Sequence, residues 1–150
     1  MRASVPRCLL VLLVSLVLGC NSGSVFGPSA LAGTYGASTF NLVHGVDTTD
    51  VLTAGGSLVM VLAPTGATSG TLTLPASLNG GTVFVADMAG TFSITDGKVH
   101  FAQGADTFVR DLAFTVATAG SVMILAGSAT FSDTTVNVVL TRGGVLLRLR

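Results

Sequence analysis

From residue 33 onward, apolar and polar side chains alternate in short runs, the period-2 signature of strands that bury one face. Eight strands are predicted. The first covers about 33–43 and is followed by a polar stretch from His44 to Asp50; the second runs from about Ser57 to Leu62 and stops at Pro64-Thr65-Gly66. In the third, Leu72 and Leu74 share one face and Thr71 and Thr73 the other. The fourth, 87–95, sets Met88, Gly90, Phe92 and Ile94 against Asp87, Ala89, Thr91 and Ser93, a half-buried pattern. Asp96-Gly97 supplies the positive φ angles of a type I′ hairpin turn and leads into a fifth strand with Val99 and Phe101 in phase. The sixth, 108–116, aligns Phe108, Leu112, Phe114 and Val116, and Ala119-Gly120 closes the next turn. The seventh is Val122 to Phe131, and the eighth, Thr134 to Arg142, aligns Val136, Val138 and Leu140. Residues 79–85 read either as a loop or as an early start of the fourth strand.

Short strands at near-regular spacing, hairpin turns and no helical period predict an all-β, antiparallel up-and-down barrel of about eight strands, with a β-sandwich as the alternative. The barrel is preferred because closure removes the free edges that a Val- and Thr-rich sheet would otherwise expose. An eight-stranded barrel has an interior that is either just filled by side chains or able to hold one small ligand. Composition supports strands. The 150-residue chain is 49% hydrophobic and only 9% charged, with no Trp and one Tyr, which suits one folded domain and excludes a disordered polyelectrolyte. A formal net charge of zero gives nucleic acid nothing to bind.

The first twenty residues read as an address. Arg2 and Arg7 form a basic n-region, and the apolar run from Leu9 to Leu18 has the length of a secretory h-region, too short to span a bilayer. Leu-Val-Leu-Gly-Cys, residues 16–20, resembles the lipobox of bacterial lipoproteins. That resemblance implies cleavage before Cys20, lipid on its sulfur and a permanent membrane anchor. The expected organisation is a removed signal peptide (1–19), a lipidated Cys20 with a small-residue tether broken by Gly27 and Pro28 (20–30), and a barrel domain (31–150). Asn21 stands where an Asp marks inner-membrane retention in such proteins, so the implied location is the outer membrane of a bacterial cell envelope, facing the periplasm. Cys8 leaves with the signal, which leaves no thiol for a disulfide, a metal or a nucleophile. Past the cleavage point Lys98, Arg110, Arg142, Arg148 and Arg150 face seven aspartates, a net charge of minus two.

Gly33-Thr34-Tyr35, opening the first strand, is similar to the Gly-x-Trp start of lipocalins and related calycin barrels, and Leu140-Thr141-Arg142 closes the last strand. In that family an arginine from the last strand packs across the N-terminal aromatic ring. The resemblance implies a structural closure between Tyr35 and Arg142, with Tyr standing in for the family's Trp.

Within the barrel, Phe92, Phe101, Phe108, Leu112, Phe114 and Val138 are expected to line an apolar interior. Arg110 shares strand parity with Phe108, Leu112 and Phe114. It is either an inward anchor for the carboxylate of an acyl ligand, or a residue turned out at a bulge or at the barrel mouth, paired with Asp106 or Asp111. His44 and His100 lack a Gly-x-Ser-x-Gly elbow or metal-ligand spacing, so no catalytic residue, metal or cofactor is expected. The Asp47–Asp50 stretch reads as a solvated loop or a loose cation site, and Gly55-Gly56 and Gly80-Gly81 as turns. Residues 58–62 are apolar on both faces, and are either covered by a loop or offered to a partner or membrane. Val145 to Arg150 is either packed on the barrel or laid on a membrane surface. Two functions follow: a lipid-anchored carrier of a small apolar ligand, or a filled barrel that binds another protein or serves as an envelope module.

Overall fold

In the computed structural model, which describes residues 26–143, a short helix α1 (Pro28–Leu31) precedes ten strands. They are β1 (Gly33–His44), β2 (Asp47–Asp50), β3 (Ser57–Leu62), β4 (Ala67–Leu74), β5 (Phe84–Asp87), β6 (Gly90–Thr95), β7 (Lys98–Gln103), β8 (Ala113–Ala119), β9 (Val122–Phe131) and β10 (Thr134–Arg142). Eight of them meander β1-β3-β4-β6-β7-β8-β9-β10, every neighbouring pair antiparallel, and β10 pairs back onto β1. The sheet is a closed up-and-down barrel, not a sandwich. Two short strands extend it at one end: β2 on β1 and β5 on β4.

The alternation read from the sequence sorts inside from outside. Leu58, Met60 and Leu62 of β3 are buried while Val59 and Val61 face out, and the same split holds for Val99 and Phe101 of β7 and for Val136, Val138 and Leu140 of β10. At Asp96-Gly97 both residues have positive φ, +53° and +73°, as a type I′ hairpin demands. All buried apolar residues lie between Leu31 and Leu140 and form one cluster, so the barrel carries its own core.

Four segments depart from the period-2 reading. In β1 the register with β10 slips between Ala37 and Thr39, and this bulge lets Tyr35 and Phe40, residues of opposite parity, both point inward. The predicted fourth strand is broken in two. Phe84–Asp87 is already strand, residues 79–83 are loop, and the chain jogs at Met88-Ala89 before β6. Every backbone group at the jog finds a partner, as buried peptide groups require. Met88 N–H donates to Gly70 O, Met88 O accepts from the Thr68 hydroxyl, Ala89 N–H donates to the Asp87 carboxylate, and Ala89 O accepts from Gly104 N–H.

The third departure corrects the sixth strand, which begins at Ala113 and not at Phe108. Phe108–Asp111 is a 3₁₀ turn, and its three-residue period turns Val109 and Leu112 into the core while Arg110 and Asp111 face solvent. Fourth, Asp47–Asp50 is not a loop but the strand β2, joined to β1 by a turn at Gly45-Val46. At the other terminus, residues assigned to the tether are packed: Pro28 opens α1 at its first turn, where the missing N–H costs nothing, and Phe26 rests against the core.

The topology gives the barrel two unlike ends. α1, the 96–97 and 120–121 turns and Arg142 mark the near end. The far end carries the β1–β2 hairpin, residues 75–83, the 104–112 segment and the Ser132-Asp133 turn.

Candidate functional site

The near end is sealed by the two residues that the resemblance singled out. Tyr35 and Arg142 are direct cross-strand partners in β1 and β10. The Tyr35 hydroxyl donates to Leu31 O at 2.8 Å, and Arg142 donates from Nη1 to Ala30 O (3.0 Å) and Ala32 O (3.3 Å). A helix ends with unpaired carbonyls, and here a cation satisfies them at the terminus where the peptide dipoles favour positive charge. The arginine stem reaches across Gly33, where a Cβ would lie 2.7 Å from its Cδ. Among the described residues no cation–π pair is found, so the closure works through hydrogen bonds to the plug and not through a cation over the ring face.

Burial pushes the Tyr35 phenol above its ordinary value near 10, and this outweighs the charge and hydrogen bond of Arg142, which pull it down. A raised native pKa leaves this stabilisation intact below pH about 10 and removes it as pH climbs through the folded value, since only the unfolded chain ionises readily. Tyr35 is the only tyrosine, so tyrosinate absorbance reports it directly. The expected titration of the folded chain is displaced to higher pH than that of the chain in denaturant; coincident curves would contradict the burial.

The expected lining residues are core. Phe92, Phe101, Leu112, Phe114 and Val138 are buried, with Phe101 and Phe114 in an edge-on contact at 5.2 Å. Phe108 is only partly buried; it sits at the far end, its ring 5.4 Å from that of Phe40. A lumen roomy enough for even a water leaves accessible surface on its walls. Phe40, Met60, Met88, Leu112, Phe114 and Leu125 have none.

Arg110, read as a possible inward anchor, is on the far rim and pairs with Asp106 one turn away. The parity argument failed because the strand it assumed is a 3₁₀ turn. His44 is also on that rim, with Nδ1 3.4 Å from both Asp133 Oδ2 and Thr134 Oγ1. Both contacts use the same ring nitrogen, so the imidazole does not bridge a carboxylate and a hydroxyl in the manner of a proton relay. His100 is half-buried on the outer face of β7, between Ser93 and Ala113. Asp50 accepts from the N–H groups of Leu52 and Thr53 and from the Thr53 hydroxyl, ordering the turn that follows β2. No group of three or more His, Cys, Asp or Glu side chains able to hold a metal occurs among the described residues.

Val59 and Val61 form an outward stripe, but their cross-strand neighbours are Gly36 and Thr34 on one side and Thr71 and Ser69 on the other, so no broad apolar patch results. Cys20 and Val145 to Arg150 lie outside the described residues.

Two surface grooves remain. One, of about 400 Å³, runs over the outside of β8, β9 and β10 on a floor of small residues, where Ser128 donates to Asn137 Oδ1 at 2.6 Å. The other, of about 200 Å³, opens at the far end among Leu72, Leu74, Asn79, Phe84, Asp106, Thr107 and Phe108. Sequence reasoning missed this second cleft, because its lining comes from four separate stretches of chain.

The fold and its sealed near end define a closed, antiparallel, eight-stranded β-barrel. No protein-family model matches the chain, and no curated protein or solved structure does so either.

Proposed function

We propose that this chain is a lipoprotein of the bacterial envelope, held through lipid on Cys20, whose lipocalin-like barrel is a filled structural and interaction module and not an interior carrier. One observation carries the preference over a carrier: the interior side chains leave no accessible surface between them. The anchor rests on the basic n-region, the short apolar run and the Leu16-to-Cys20 motif. Outer-membrane attachment facing the periplasm rests on Asn21.

Geometry gives this reading an orientation. Cys20 is six residues before Phe26, which packs at the near end, so the chain between them spans at most about 20 Å. The lipid therefore keeps the near end close to the membrane and turns the far end toward the periplasm. That end presents the hairpin tip, where Val46 is almost fully exposed, and a rim with Asp47, Asp106, Asp111 and Asp133. A protein partner is met there, by loops and not by the lumen.

Native mass spectrometry of residues 21–150, expressed in a bacterial periplasm and then incubated with membrane extract, tests the filled interior. The expected spectrum shows the bare protein mass. A retained adduct of lipid mass, too large for the 200 Å³ far-end cleft, would restore the carrier reading.

A further inference from the structure

The far-end cleft is where the barrel wall comes apart. The continuous strand formed by β5 and β6 keeps company with β7 as far as the Ala89–Gly104 hydrogen bond of 3.3 Å. Beyond it the chain after β7 turns into the 3₁₀ segment, and β5 pairs with β4 alone. The gap between them is the 200 Å³ cleft, walled by Leu72 and Leu74 of β4, Phe84 of β5 and Phe108 of the turn.

Thr107, in the same lining, is 7% exposed, and its hydroxyl finds no hydrogen-bonding partner in the protein. Buried polar atoms without partners are few in native structures, and each calls for a reason. The other one among the described residues, Gln103 Oε1, belongs to a side chain directed at the core, where its Nε2 meets Met60 Sδ at 3.6 Å. Thr107 alone stands at a cleft. The polar rim there is an acceptor-rich one: Asn79 spends its amide N–H on Thr82 O, which leaves Oδ1 to accept. The charge of Asp106 is already met by Arg110.

We infer that this cleft is a binding site for a small neutral aliphatic alcohol, with its chain between Leu72, Leu74, Phe84 and Phe108 and its hydroxyl on Thr107. The volume is below that of drug-sized pockets, so the occupant is small. Apolar walls select an alkyl body, a paired rim gives no net charge to recognise, and an unpaired hydroxyl beside an amide oxygen selects a head that both donates and accepts. The site is independent of the lipid anchor and of the filled lumen.

The test is a two-dimensional NMR titration of residues 21–150, whose barrel holds its own core, with 1-hexanol as the probe and hexane-saturated buffer as the control. Saturable shifts confined to the lining residues are expected with 1-hexanol. Thr107→Val keeps the shape and removes the hydroxyl, and it is expected to weaken 1-hexanol binding about five- to tenfold, the effect of one lost hydrogen bond. The same variant is expected to raise the unfolding midpoint by a few degrees, because it deletes an unpaired buried polar atom. A hydroxyl that serves only the fold would not join these two effects. Leu74→Trp, filling the cleft, is expected to abolish the shifts. The proposal falls if no saturable shift appears up to the solubility of 1-hexanol, if shifts spread over the barrel, if Thr107→Val binds as the parent does, or if that variant unfolds at lower temperature. None of these outcomes bears on whether the lumen is filled, which the lipid-mass adduct decides.

Discussion

Gly70→Ala is expected to remove most of the stability of the barrel, with Gly90→Ala close behind. A Cβ on Gly70 would lie 2.1 Å from Val59 O, and one on Gly90 2.2 Å from Ala102 O; both obstacles are backbone of the adjacent strand, so no side chain can swing aside. Gly70 also has φ of +133°, a conformation that an L-residue adopts only under strain. The two glycines sit at the same level of the wall. Met60 is the register partner of Gly70, Thr68 that of Gly90, and Met88 N–H donates to Gly70 O at the jog. Strands β3, β4, β6 and β7 are thus drawn together at the corner, and separating them by a carbon atom breaks the pairing that closes the ring. A cost of about 4 kcal/mol or more is expected for Gly70→Ala, a large share of the roughly 5–15 kcal/mol that holds a domain together. Gly104→Ala is the control: nothing lies within 4 Å of its added Cβ and its φ is not positive, so urea unfolding is expected to place it within about 0.5 kcal/mol of the parent. Equal midpoints for Gly70→Ala and Gly104→Ala would show that backbone contact does not set the corner.

That corner also shows what single-chain reading reaches. Inside each strand the alternation was sufficient, because a pleated strand has period 2 whatever surrounds it. It assigned Met88, Phe92, Leu72, Val99 and Phe101 to the interior, and all five are buried there. Asp96-Gly97 was legible because its turn needs two positive φ angles and these residues accept them. What failed was phase across a break. Tyr35 and Phe40 are five apart, so one strand cannot bury both unless a residue is added between, and the bulge before Thr39 adds it. At Phe108 the period changed from 2 to 3 with no Gly or Pro to announce it, and that change carried Arg110 from the interior to the rim. The Tyr35–Arg142 closure was legible through resemblance, yet its atoms were not, since carbonyls of α1 accept the guanidinium and α1 was read as tether. The far-end cleft had no local spacing to betray it: Leu72, Asn79, Phe84 and Thr107 meet only once the wall has closed.

Cys20→Ser is expected to abolish acylation of the chain while Cys8→Ser leaves it intact. Both cysteines lie in the first twenty residues, yet only Cys20 follows the Leu-Val-Leu-Gly run at the end of the apolar stretch. Metabolic labelling with an alkyne-tagged fatty acid in a Gram-negative host reads the difference, with label on the parent and on Cys8→Ser and background on Cys20→Ser. The size of the effect follows from the anchor's arithmetic. Each buried CH₂ contributes about 0.8 kcal/mol, so one acyl chain binds only marginally, whereas the two or three of a processed lipoprotein hold effectively permanently. Loss of the acceptor is therefore all or none. Intact mass adds a second reading, because the unmodified variant is expected to keep residues 1–19, which the parent loses on processing. Asn21→Asp separates the anchor from its address. It is expected to keep the label and the cleavage but to move the protein from the outer- to the inner-membrane fraction on a density gradient. Label persisting on Cys20→Ser would overturn the anchor, and an inner-membrane position for the parent would overturn only the address. The barrel of residues 26–143 keeps its fold in either case, since every buried apolar residue that builds its core comes after Ala30.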